Sequence, residues 1–218
     1  MNQEFKDKGY IVAENIIPHF IIEDLKDFWL DCNIEYDTGA EDINFVHKSS
    51  QQDVNEFQLV QYLSDFIVPR IEAQVGLPLI PTYNQGRMYH KGATMSGHVD
   101  RLPCDVSITF TVANEGENWP IRLIDKTGEP KSISTKIGDC LIYSGCEVQH
   151  WRDENPNDLQ VQHFFHFYSP HSRAGSFIEQ MDDSYKGWNG FLANEIWPGN
   201  LELMQKHNIT PLPRRQDV

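Results

Sequence analysis

Apolar positions along this chain recur every three to four residues in two N-terminal stretches, then every second residue over most of the remaining length. In IIEDLKDFWLDC the residues Ile22, Leu25, Phe28, Trp29 and Cys32 share one face at helical spacing, which predicts an amphipathic helix. A second helical stretch runs from Glu56 to Val75. Pro69 is expected to kink or split it, and Gly76 is placed to cap its end. Ahead of these, GYIVAENIIP reads as a short strand turning at Pro18, and the polar, irregular residues 33–54 read as a loop over a site.

The period changes near Leu79. In DVSITFTVA, Val106, Ile108, Phe110 and Val112 alternate with Ser107, Thr109 and Thr111, giving a strand with one apolar and one hydroxyl-lined face. WPIRLID, KSISTKI, DCLIYSG, CEVQHWR and LQVQHFFHFY come next as short strands bounded by Gly, Asn, Asp or Pro. Helices first and many short strands later predict a mainly β, α+β domain of sandwich or barrel type. One domain is expected over 1–218: a helical part to about 78, a β core over about 79–170, and an extension over 171–218 packed on it.

Composition narrows the function classes. With 39% hydrophobic and 23% charged residues the chain is ordinary for a soluble globular protein. It has no apolar run of membrane-spanning length, and MNQEFKDKGY lacks the apolar core of a signal peptide, so a cytoplasmic location is expected. A net charge of -14, with Arg214-Arg215 as the one basic pair, disfavours nucleic acid. Cys32, Cys104, Cys140 and Cys146 form no CxxC pair, and buried free thiols are expected.

The chemistry concentrates at His98-Val99-Asp100. On a strand, residues i and i+2 point to the same side, so an imidazole and a carboxylate stand together. With a third ligand they would form a facial triad, which suits non-haem Fe(II) because three coordination positions stay open. Chance alone supplies roughly 0.7 H-x-D matches in a chain of this composition, so the motif gains weight from its surroundings. Arg87-Met88-Tyr89-His90-Lys91-Gly92 and Met95 precede it. Gly138-Asp139-Cys140-Leu141-Ile142-Tyr143-Ser144-Gly145 and Cys146-Glu147-Val148-Gln149-His150 come after it.

This order of motifs, over about residues 83–168, resembles the prolyl-hydroxylase-type branch of the Fe(II)/2-oxoglutarate-dependent oxygenases. The resemblance implies a double-stranded β-helix (jelly roll, cupin-like) with supporting N-terminal helices. It implies His98, Asp100 and His150 as iron ligands, with 2-oxoglutarate and O2 as co-substrates and succinate and CO2 as products. Tyr89 matches the tyrosine that commonly contacts 2-oxoglutarate in that family. The implied reaction is hydroxylation of a C–H bond in a peptidyl residue, proline among them, or in a small metabolite.

One family feature is missing. A Lys or Arg nine or ten residues beyond the distal His usually grips the far carboxylate of 2-oxoglutarate, but Leu159 and Gln160 stand there. Arg152, two residues past His150 and so on its face, is the favoured replacement, with Arg122 and Arg87 as alternatives. Gln162 is expected to offer an amide to the same carboxylate. His166 shares parity with Gln160 and Gln162 and is a candidate to face the site. His163 is expected to be a packed or surface histidine without a functional role, and His47, His90 and His171 to be solvated. Two other readings stay open: a jelly-roll module that binds a metal or small acid without chemistry, and a nucleic-acid demethylase of the same superfamily.

Overall fold

The hydroxyl-and-apolar alternation is realised in the centre of a curled antiparallel sheet. The computed structural model describes residues 1–31, 46–52 and 58–179. Its elements are α1 (Gln3–Lys8), β1 (Tyr10–Ala13), α2 (His19–Asp31), β2 (Val46–Gln52), α3 (Gln58–Val75), β3 (Ile80–His98), β4 (Val106–Asn114), β5 (Ile121–Ile124), β6 (Pro130–Ile133), β7 (Cys140–Tyr143), β8 (Gln149–Arg152), β9 (Leu159–Tyr168) and α4 (Arg173–Ile178). Hydrogen-bonded neighbours run β1-β7-β4-β9-β3-β8-β5-β6, with β2 on β3.

β3 is the hinge of this arrangement. Its first half pairs with β9, from Ile80↔Tyr168 to His90↔Leu159, and its last residues pair with β8, at Met95↔Arg152 and His98↔His150. One long strand thus belongs to both sheets of a jelly roll and carries Tyr89 and His98 from one to the other. The apolar face of β4 and β9 (Ile108, Phe110, Val112, Phe165, Phe167) packs on the helices through Ile22, Leu25, Trp29, Ile67, Ile71 and Val75. Close approach is needed there: a Cβ at Gly86 would overlap the Trp29 indole. The opposite, hydroxyl-lined face turns into the lumen.

The short strand expected in GYIVAENIIP is β1, which pairs with β7 at one edge of the sheet. Several expectations need correction. Of the stretch expected as a loop, Val46–Gln52 is a strand antiparallel to β3, and the neighbouring residues 33–45 and 53–54 lie outside the described residues. α3 runs through Pro69 without splitting and ends at Gly76, whose φ of 66° is the left-handed cap conformation. α1 was not expected. Asn2 caps it by accepting from the Glu4 amide at 2.8 Å. Of the extension, only the part through residue 179, which holds α4, is described. Cys104, Cys140 and Cys146 are free and buried, as their apolar setting suggests, and Cys32 is outside the described residues. No helix among the described residues is long and apolar enough to cross a membrane.

Of the two readings left open for His163, the packed one holds, in an unusual way. It lies in the apolar layer between Phe110 and Phe165, fully buried, with neither ring nitrogen hydrogen-bonded. Burial holds it neutral and pushes its pKa down to about 3. A histidine depressed in the fold binds its proton more readily when unfolded. Its stability contribution is therefore complete above the ordinary value near 6.5 and is lost as the pH falls below it. Between pH 6.5 and 5 the loss is about 2 kcal/mol for such a group. His163→Leu is expected to raise the urea midpoint at pH 7, since two unsatisfied buried nitrogens cost about 1–3 kcal/mol each, and to flatten the decline between pH 6.5 and 5. A variant less stable than the parent at pH 7 would show that a partner holds His163.

Candidate metal centre

His98 ends β3, His150 lies in β8, and the register sets them directly opposite. Their rings stand 4.4 Å apart, centre to centre. Asp100 leaves β3 through a turn tied by its amide, which donates to the Gly145 carbonyl at 2.8 Å. A Cβ at Gly145 would overlap the Cys104 carbonyl oxygen and stand 2.6 Å from Asp100 Oδ2, so only glycine lets that loop cover the carboxylate.

The donor atoms converge. Asp100 Oδ1 is 3.6 Å from His98 Nε2 and 3.6 Å from His150 Nε2. Such gaps are long for hydrogen bonds, and these three side chains would hold one divalent ion. Protonation agrees. His98 Nδ1 lies 2.8 Å from the Ser96 carbonyl oxygen and His150 Nδ1 lies 3.0 Å from that of Val148. A carbonyl only accepts, so each Nδ1 carries the hydrogen and each Nε2 turns a lone pair toward Asp100. Burial pushes the Asp100 carboxyl up, but His150 and His98 outweigh it and hold it well below the ordinary carboxylate range. Burial lowers the His150 imidazole to about 4. Two imidazoles that face the carboxylate through Nε2, with the Asp100 carboxylate between them, fit a ferrous ion.

A second group of residues lies deeper. Tyr89 is buried edge-on to Trp119, with ring centres 5.1 Å apart. The Arg152 guanidinium lies 4.8 Å over the same indole, and its Nη1 donates to the Trp119 carbonyl at 2.6 Å. Arg152 is buried, and burial lowers its pKa to about 10. Its electrostatic neighbours are the hydroxyls of Tyr89 and Tyr143, and no carboxylate pairs with it among the described residues. Arg87 is also buried, 6.0 Å from the Tyr89 ring centre and in register with Gln162. Arg122 points the other way: its Nε donates to Asp153 Oδ2 at 2.9 Å, with the side chain 41% exposed. It is a surface ion pair and drops out as a lumen cation. Gln162 is engaged in the hydroxyl row. Its Oε1 accepts from Thr109 and its Nε2 donates to Thr111, so it has one amide hydrogen to spare. Trp119, the platform beneath Tyr89 and Arg152, falls in the strand candidate WPIRLID, which gives it no role; the strand begins only at Ile121.

His166 faces the lumen, in register with Tyr83 on β3 and Ser107 on β4, and its Nδ1 is 2.8 Å from Ser107 Oγ. His171 is exposed, whereas His90 is partly buried; the side chain of His47 lies outside the described residues.

No protein-family model matches the chain, and no curated protein matches by sequence. Solved structures match by fold. A prolyl-4-hydroxylase from Pseudomonas putida superposes with a TM-score of 0.56 at 17% identity, covering 75% of this chain and 95% of that one. A prolyl hydroxylase from Trichoplax adhaerens, in complex with a hypoxia-inducible-factor oxygen degradation domain peptide, gives 0.61 at 11% identity, covering 82% and 90%. HygX from Streptomyces hygroscopicus, with nickel and 2-oxoglutarate bound, gives 0.61 at 9% identity, covering 78% and 88%. The fold is the jelly roll shared by the 2-oxoglutarate/Fe(II) oxygenases.

Proposed function

We propose that this protein is an Fe(II)- and 2-oxoglutarate-dependent oxygenase that hydroxylates a C–H bond in a small molecule or a peptidyl residue. The observation that carries the reading is the convergence of His98 Nε2, Asp100 Oδ1 and His150 Nε2, all within 4.8 Å of one another, on a fold shared with such enzymes. The same residues would hold the iron, which when bound supplies the oxidising chemistry with O2. The rest of the lumen then has three tasks. Arg152 neutralises the far carboxylate of 2-oxoglutarate, the Tyr89 hydroxyl donates to it, and Trp119 walls it from water.

Oxygen uptake tests the reading. It should occur with Fe(II) and 2-oxoglutarate together, accelerate with a true substrate, and stop when either is omitted. Uptake that persists without 2-oxoglutarate would end the assignment. Tyr89→Phe removes one hydrogen-bond donor and leaves the ring stack on Trp119. It is expected to raise the 2-oxoglutarate concentration for half-maximal rate about 10- to 150-fold, the worth of a hydrogen bond of about 1.5–3 kcal/mol to a charged group. The iron requirement should not change. A shift in iron affinity alone would place Tyr89 with the metal instead.

A further inference from the structure

Ser107 and His166 share a hydrogen-bond chain with Asp100 whose polarity can be read from the groups in it. Ser107 Oγ lies 3.2 Å from Asp100 Oδ2, 3.3 Å from the Cys104 carbonyl oxygen and 2.8 Å from His166 Nδ1. A serine has one hydrogen to give and two lone pairs to receive with. The carboxylate and the carbonyl only accept, and the charged acceptor makes the stronger bond. The serine hydrogen therefore goes to Asp100 Oδ2, and His166 Nδ1 must donate to Ser107.

A second observation agrees. His166 Nε2 is buried and has no hydrogen-bond partner. If Nδ1 carries the hydrogen, the orphan atom is a lone pair and not an N–H, which is the cheaper of the two to leave unmade. The ring is held for this task. Its centre lies 4.4 Å from that of the Tyr83 ring and 6.4 Å from that of Phe164, with the Phe164 and His166 ring planes parallel to within 2°.

We propose that Ser107 and His166 are positioning residues that fix the Asp100 carboxylate so that Oδ1 alone faces the metal. Oδ2 is occupied by the Ser107 hydroxyl, and the Ser107 hydroxyl is kept pointing that way by the His166 N–H. This inference rests on the metal-site reading of Asp100 and adds what holds that ligand. It assigns Ser107 and His166 no contact with the reacting atoms.

The test uses the metal-free full chain and Co(II) as the probe, followed by its visible absorption, with urea midpoints to check folding. Ser107→Ala is expected to weaken Co(II) binding 10- to 100-fold, as loss of a ligand's hydrogen-bond partner typically does, and Ser107→Thr to restore it to within about threefold. His166→Phe keeps the stack on Tyr83 and loses the N–H, and should weaken binding severalfold. Parent affinity in Ser107→Ala overturns the proposal while the metal site stands. Absence of Co(II) binding in the parent chain overturns the metal site and the proposal together. Nitrogen-15 NMR of histidine-labelled parent protein gives an answer that needs no folded Ser107 variant, with His166 identified by its loss in His166→Phe. Hydrogen on Nδ1 is expected; hydrogen on Nε2 would make Ser107 the donor to His166 and end the proposal.

Discussion

Asp100→Ala is expected to abolish metal binding while the chain still folds. Asp100 supplies the only negative charge in the donor set, and its Oδ1 is the atom that both histidines face at 3.6 Å. Without it two neutral imidazoles remain, 4.4 Å apart, and a hard divalent cation loses the oxygen ligand that suits it. Calorimetric titration with Fe(II) under anaerobic conditions checks this. Affinity is expected to fall by two to four orders of magnitude, from losing a buried charged partner worth about 3–5 kcal/mol. An unchanged urea midpoint separates lost ligation from lost structure. Parent-like Fe(II) affinity in this variant would remove Asp100 from the site.

The second large effect belongs to Arg152. A buried guanidinium with no acidic partner among the described residues is an unfavourable thing for a fold to keep. Under the proposed function, a bound dianion would supply the missing partner. The Trp119 carbonyl and indole hold the guanidinium in place, which suits planar, two-point recognition of a carboxylate. Arg152→Ala should weaken 2-oxoglutarate binding to the metal-loaded protein by two to four orders of magnitude, from about 3–5 kcal/mol. Arg152→Lys should recover only part of it. The same alanine variant should be no less stable than the parent in urea when 2-oxoglutarate is absent. A structural arginine would show the reverse, with lost stability and unchanged affinity. Unchanged 2-oxoglutarate affinity in Arg152→Ala, together with a loss in Arg87→Ala, would move the carboxylate to Arg87.

Short-range periodicity made part of this molecule legible in its sequence. On β4 the alternation of Ser107, Thr109 and Thr111 with Ile108 and Phe110 already separated lumen from apolar layer. The i, i+2 rule placed Arg152 on the His150 face. The same rule was silent for Arg122. A four-residue strand such as β5 does not reveal which of its faces is inward, and it is Leu123, opposite His150, that turns in. β2 was hidden because Val46–Gln52 is polar and owes its extended form to pairing with β3. The Asp100–Ser107–His166 chain was hidden for another reason: its members are brought together by β3, β4 and β9, and no local pattern marks them as partners. His163, on the apolar side of β9, shows how little the residue type alone says about role.

The central claim is the reaction itself, and its most direct measurement is succinate formed from 2-oxoglutarate by the purified, Fe(II)-loaded chain in air, with Asp100→Ala alongside. Succinate should accumulate with the parent protein, even slowly and without added substrate, and stay at background with the variant. Tight binding of Fe(II) and 2-oxoglutarate with no succinate above background would contradict the account and leave a binding module in its place.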